Sequence, residues 1–294
     1  MRVIKRCRLA GLVLQLPCSF SRVLAQKRGQ HGHPTARACR LRASRPFGRN
    51  LTQRGSKFAL TGKLIAFEGL DGSGKSTQIK LLTKALRRMG IAHECISFPR
   101  THVKGYGEAI AMFLRGEFGS VKEVNPYFVA ALFAGDRASA RPQMEEWLNA
   151  GKFVVADRYF HSNLAFQGAK ITVRTQKEHF RKWIREVEFE NHRIPKPSLT
   201  IFFDVPMSFV KDNISKRHAK ETRTYLKGKL DIHEAAFDLQ EDVAREYRSF
   251  SKSDPSFVQI SRIRDHGMRE ALEVHHEVLM TLRLHGLMKG AKIR

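Results

Sequence analysis

"FEGLDGSGKST", residues 67–77, decides the fold. It carries the spacing G-x-x-x-x-G-K-S, with Gly69, Gly74, Lys75 and Ser76 in the fixed places. Glycines let the backbone turn tightly, so that its N–H groups point inward. A helix that starts there adds the positive end of its dipole. Such a loop cradles phosphates. Gly72, Ser73 and Thr77 fill out the cradle, Lys75 reaches the β- and γ-phosphates, and the Ser76 hydroxyl helps to hold Mg²⁺.

The flanks of the motif support this reading. Residues 63–68, with the apolar run Leu64–Phe67 at their centre, read as a strand. Beyond the loop, Ile79, Leu82, Leu86 and Met89 recur at steps of three and four before Gly90, which reads as a helix and its stop. Further strands are expected at 93–98, 153–156, 199–204 and 257–260. Helices are expected at 108–114, 125–149 (bent at Pro142), 158–167, 180–187, 206–217, 230–250 and from 268 onward. Strands alternating with helices imply an α/β fold of the phosphate-loop NTPase kind. The expected core is a five-stranded parallel sheet with helices on both faces.

"KFVVADRY" supplies the partner of the loop. Asp157 ends a buried strand at the edge where ligands bind in such sheets, placed to hold Mg²⁺ directly or through water. If 158–167 is one helix, Arg158, Ser162 and Phe166 share a face that begins at this edge. A guanidinium, a hydroxyl and a ring together suit a nucleotide. Phe133 and Arg137, four apart on another helix, suit a planar base and its edge.

At this point the chain resembles the thymidylate kinase family, over about residues 63–260. The resemblance rests on "FEGLDGSGKST", "FPRTHVKGYG", "ALFAGDR", "VVADRYFHSNLAFQGAK" and "PKPSLTIFFDV", in that order. It implies ATP and dTMP as substrates, dTDP and ADP as products, Mg²⁺ as the cofactor and a homodimer. It implies that Phe133 stacks on thymine and that Arg137 bonds its edge. Arg158 and Arg100 face the acceptor phosphate, with Ser162, Asn163 and Gln167 around base and phosphate. Phe166 packs below the sugar and disfavours a 2′-hydroxyl. Asp71 lies near the sugar and metal, and Phe98 shapes the wall. Two departures stand out. Gly72 follows Asp71 where some relatives carry an arginine, which moves the catalytic arginine to a lid at about 215–226, as Arg217 or Arg223. Asp136 stands where some relatives have asparagine, with an altered base contact as the expectation.

Composition sets the outer limits. Of the net charge of +25, the 15 Lys and Arg before Glu68 leave about +10 for the rest, and no Asp or Glu precedes Glu68. An acid-free leader rich in Arg and Ser has the composition of an organelle transit peptide. The expected organisation is a leader at 1–57, a kinase domain at 58–288 and a short basic tail at 289–294. The leader implies import machinery as a partner and a mitochondrial location, with cytoplasmic as the alternative. No apolar run approaches the ~18 residues of a membrane span. Three of the four cysteines lie in the leader, without a disulfide framework. The histidines form no metal pair, and His275-His276 reads as solvated. The rivals are a kinase for UMP, CMP or a deoxynucleoside, a nucleic-acid-binding protein, and a non-catalytic nucleotide-binding module. No DNA- or RNA-reading motif appears, and the basicity sits mostly in the leader.

The leader reading has a direct test. Residues 1–60 fused to a fluorescent reporter are expected to carry it into mitochondria. Diffuse cytosolic fluorescence or secretion would overturn the expectation.

Overall fold

The computed structural model describes residues 61–218, 223–229, 231–264 and 267–288. The leader at 1–57, Lys220, the Arg217 side chain and the tail at 289–294 lie outside the described residues. In chain order the elements are β1 (Lys63–Glu68), α1 (Lys75–Arg88), β2 (His93–Ser97), α2 (Tyr106–Leu114), α3 (Pro126–Asn149), β3 (Phe153–Asp157) and α4 (Phe160–Gly168). Then follow α5 (Arg174–Arg185), a π-helical turn (Glu186–Asn191), β4 (Leu199–Asp204), α6 (Met207–His218) and a 3₁₀ turn (Thr224–Leu226). The chain continues with α7 (Ile232–Ala235), α8 (Phe237–Phe250), β5 (Phe257–Ser261), a hairpin of β6 (Ile263–Arg264) and β7 (Gly267–Met268), and α9 (Ala271–Leu284).

The main sheet has the order β2-β3-β1-β4-β5 and is parallel throughout. β1 is central and pairs with β3 (Phe67 opposite Asp157) and with β4 (Glu68 opposite Phe202). Its side chains alternate between two cores. Leu64 and Ala66 join Val154, Ala156 and Phe202 under α3, α4, α5 and α8. Ile65 and Phe67 join Val155, Ile201 and Phe203 under α1 and α9. Because both faces are covered, the strand reads as an unbroken apolar run even though successive residues point to opposite sides.

Several boundaries differ from the sequence expectation. β2 ends at Ser97, ahead of a cis Phe98-Pro99 bond. α3 begins as expected, with Asn125 Oδ1 accepting from Tyr127 N–H at 2.9 Å, and it runs through Pro142 without interruption. The expected single helix at 230–250 is two, α7 and α8, split at Ala236, whose φ of −92° and ψ of 77° are not helical. The β6–β7 hairpin precedes α9, where a helix was expected from 268. His275 is buried on α9 rather than solvated, because it faces the sheet side of that helix beside Val274 and Val278.

One polar pair is embedded in the α3 side of the molecule. Arg137 on α3 donates from Nε and Nη2 to both oxygens of Glu188, each at 2.6 Å, and neither residue is more than 1% exposed. Glu188 lies in the π-helical turn, an arrangement often found at functional positions. Asn163 on α4 donates to the same carboxylate at 3.0 Å. Such a pair gives little net stability but is costly to break. Arg137→Ala or Glu188→Ala should each lose about 3–5 kcal/mol in urea unfolding, while the double replacement Arg137→Met/Glu188→Leu should recover most of that. Equal losses in singles and double would show that the charge pairing is not the reason.

Candidate active site

Two cavities open at the carboxyl ends of β1 and β3. The first, of about 510 Å³, is lined by Gly72, Gly74, Lys75, Ser76, Thr77 and Asp157, with Asp71, Phe98, Arg158, Asn213 and Arg223. The second, of about 190 Å³, is lined by Phe133, Ser162, Asn163, Phe166 and Gln167, with Pro99, Thr101, Leu114, Tyr225, Asp231, His233 and Glu234. Asp71, Phe98, Arg158 and Arg223 line both. The cavities therefore meet at two arginines and one carboxylate.

The loop folds as its glycines require. Gly69 has φ 145° and Gly72 has φ 77°, and a Cβ at Gly72 would press on Val210 O at 3.1 Å. Lys75 turns back on the loop and donates to Gly69 O (3.0 Å) and Leu70 O (2.7 Å). Burial, with Arg158 adding repulsion, pushes its ammonium down to about 8. A polyphosphate would oppose that shift. Ser76 and Thr77 are exposed at the start of α1. Gly69 and Ser73 lie behind the loop rather than on the cavity wall, with Ser73 buried and its Oγ unpartnered. Asp157 Oδ1 is buried and has no hydrogen-bond partner. With Ser76 on the same wall, that orphaned oxygen suits a hard cation.

Arg158 reaches its place by a route that the helical face did not foresee. α4 starts at Phe160, so Arg158 stands outside it, at φ 64°. Its N–H donates to Phe67 O at 2.9 Å, which continues the sheet ladder for one residue before the turn. The side chain still meets the expected partners. Nη2 pairs with Asp71 at 3.0 Å, Nη1 donates to Ser162 Oγ at 3.2 Å, and the guanidinium lies 5.0 Å from the Phe166 ring centre. Burial opposes its charge, but Asp71 and other neighbouring groups more than offset that and raise its pKa.

Two arginines expected at the ligand stand off both cavity walls. Arg100 lines neither cavity. Its backbone N–H and Nε donate to the Asp136 carboxylate, each at 2.9 Å, and Nη2 donates to Asp136 O at 2.7 Å and to Ser139 Oγ. Asp136 therefore anchors an arginine. Arg137 is not on the cavity wall either, because Glu188 holds two of its three guanidinium nitrogens in the core. Asn163 lines the second cavity, but its Nδ2 is taken by Ala130 O (2.9 Å) and Glu188. Gln167 lines it with Oε1 unpartnered.

Of the two arginines expected in a lid, Arg223 lies among the described residues with its side chain. It pairs with Glu234 at 2.8 Å and donates to the Tyr225 hydroxyl at 3.0 Å. Asp231, at 3.8 Å from it, is raised to about 7, first by burial and then by Asp71 and Glu234. Sequence reasoning missed Tyr225, Asp231, His233 and Glu234. The two acids three apart, just after a basic stretch, were the available signal. Among the described residues no group of three or more His, Cys, Asp or Glu is arranged to hold a metal.

Comparisons with known proteins agree with this geometry. The family model for "Thymidylate kinase" matches residues 67–257. A "Probable thymidylate kinase" of Pyrobaculum aerophilum is 38% identical over 164 residues, covering 55% of this chain and 74% of the relative. "Thymidylate kinase" of Homo sapiens is 32% identical over 151 residues, covering 51% of this chain and 64% of the relative. The solved thymidylate kinase of Candida albicans aligns with TM-score 0.56 at 24% identity, over 77% of this chain and 93% of that one, a likeness of fold. Every residue lining the two cavities falls inside the span that the family model matches, so the chain belongs to the thymidylate kinase family.

Proposed function

We propose that this kinase holds ATP in the larger cavity and dTMP in the smaller one, moving the γ-phosphate between them to give dTDP and ADP. The observation that carries the proposal is the shared wall. Asp71, Arg158 and Arg223 border both cavities, and the transferring phosphoryl group must pass there. Positioning and charge neutralisation supply most of the catalysis in such a transfer.

The roles follow from the geometry. The loop N–H groups and Lys75 hold the polyphosphate. Lys75 exchanges its two backbone carbonyls for phosphate oxygens, which the loop can allow because both bonds are local. Ser76 and Asp157 would hold Mg²⁺, which supplies charge neutralisation of the phosphates when bound. Arg158 grips the acceptor phosphate from below, steadied by Asp71 and Ser162. Phe133 offers its ring to the base, and Phe166 closes the sugar side. Arg137 acts one layer back and leaves only Nη1 for a base edge. We further propose a homodimer and a mitochondrial location, the latter supported by the acid-free leader. No described helix is long and apolar enough to cross a membrane.

Acceptor identity is checked by ADP release with dTMP, dUMP, UMP, dCMP and thymidine. The highest kcat/KM is expected for dTMP. A preference for UMP or dCMP would overturn the assignment in favour of a related pyrimidine kinase.

Arg223 gives the second test. An arginine that leaves Glu234 for the transferring phosphoryl group acts mainly in the transition state. Arg223→Ala should lower kcat by ~10²-fold, about 2.7 kcal/mol, with little change in KM for either substrate. Steady-state kinetics decides it. A kcat within about threefold of the parent (under ~0.7 kcal/mol) would move the role to Arg217 or Arg158.

A further inference from the structure

Glu68, the last residue of β1, is fully buried and accepts four hydrogen bonds. Tyr159 N–H (2.8 Å) and Ser162 N–H (3.1 Å) reach Oε1. Ser162 Oγ (2.5 Å) and the Tyr247 hydroxyl (2.9 Å) reach Oε2. Tyr247 lies on α8, 179 residues away in sequence, and is itself fully buried, with its ring stacked on Phe202 at 4.8 Å between centres.

The proton count gives this cluster a direction. An ionised carboxylate only accepts, and each hydroxyl has one proton to give. The Ser162 and Tyr247 hydroxyls both reach Oε2, and they lie 3.0 Å from each other, so the three groups form one connected cluster. With its proton on Oε2, Ser162 Oγ keeps lone pairs, and Arg158 Nη1 donates to it at 3.2 Å. Burial, and then the Glu68 charge, push the Tyr247 phenol well above its usual range, so it stays a donor. Arg158 sits outside α4 at a left-handed backbone angle, so the helix does not orient its side chain. Asp71, 3.0 Å from Nη2, and the Ser162 hydroxyl, 3.2 Å from Nη1, hold it from two sides.

We propose that Tyr247 is a positioning residue for the acceptor phosphate, acting through Glu68 and Ser162 to aim the Arg158 guanidinium. This rests on the reading of Arg158 as the acceptor-phosphate contact. The chemical consequence is selective. Loss of the phenol hydroxyl loosens the Glu68 carboxylate and with it the orientation of Ser162 Oγ. The phosphate of the nucleotide loses its grip, while its base and sugar keep theirs.

Tyr247→Phe removes one oxygen and keeps the stacked ring. Titration calorimetry on the full chain compares dTMP with thymidine, the same ligand without its phosphate. Tyr247→Phe should weaken dTMP about tenfold, the scale of a lost hydrogen bond to a charged group, and leave thymidine within about twofold. In steady state, KM for dTMP should rise while KM for ATP stays. Arg158→Ala should abolish the advantage of dTMP over thymidine, and adding Tyr247→Phe to it should change nothing further. Equal weakening of both ligands by Tyr247→Phe, or of neither, overturns the relay while leaving Arg158 in its role. If Arg158→Ala itself preserves the advantage of dTMP, the reading of Arg158 fails and the relay fails with it. A thermal-unfolding midpoint measured for each variant confirms that the folded protein is being titrated.

Discussion

A carboxylate sealed beneath the phosphate loop is the constraint on which the site depends. Burying the Glu68 charge costs several kcal/mol unless hydrogen bonds replace its water. Four donors do so here, from the β3–α4 turn, the first turn of α4, and α8. Charge-assisted bonds of this kind are shorter and stronger than neutral ones. Their geometry therefore fixes three separate chain segments against the end of β1. The same strand end launches the loop that receives the polyphosphate. Donor and acceptor machinery are thus referenced to one residue.

Around that anchor the cations are assembled before any anion arrives. Lys75 is depressed to about 8, first by burial and then by repulsion from Arg158. Asp71 beside Arg158 and Glu234 beside Arg223 offset the burial of those two guanidiniums. Such an arrangement suits catalysis by preorganisation, since the charges need no reorientation of solvent when the phosphoryl group moves. Phosphate oxygens between Lys75 and Arg158 would offset the repulsion between them.

A second ring of polar pairs sits one layer further out. Arg100 with Asp136, and Arg137 with Glu188, tie α3 to its neighbours without reaching the cavity walls, while Asn163 joins the second pair to the wall of the smaller cavity. Buried pairs like these are weak sources of net stability, but they are intolerant of losing one partner. Their contribution is to fix the helix that presents Phe133, and Glu188 leaves a single nitrogen of Arg137 uncommitted.

Local order was legible in the sequence because its causes are local. Glycine spacing, the apolar run of residues 64–67 and the three-and-four repeat of α1 each act within one element, so the phosphate loop and the parallel sheet followed from them. Asp157 was found for the same reason, as an acid at the end of an apolar strand. Arg158, Ser162 and Phe166 were grouped correctly by a wrong argument: the helix starts two residues later, and a left-handed turn with the Asp71 pair brings the arginine back. The partners of Arg100 and Arg137 were hidden because Asp136 and Glu188 meet them only after α3 has packed. Tyr247 is 179 residues from the carboxylate it serves, and Tyr225, Asp231 and His233 line the cavity from a segment 90 or more residues beyond Phe133. By itself the sequence determined the elements and the phosphate-binding turn, since spacing and burial period suffice for those. Only the tertiary structure decided which charges pair, because pairing depends on distances between elements that no local pattern encodes.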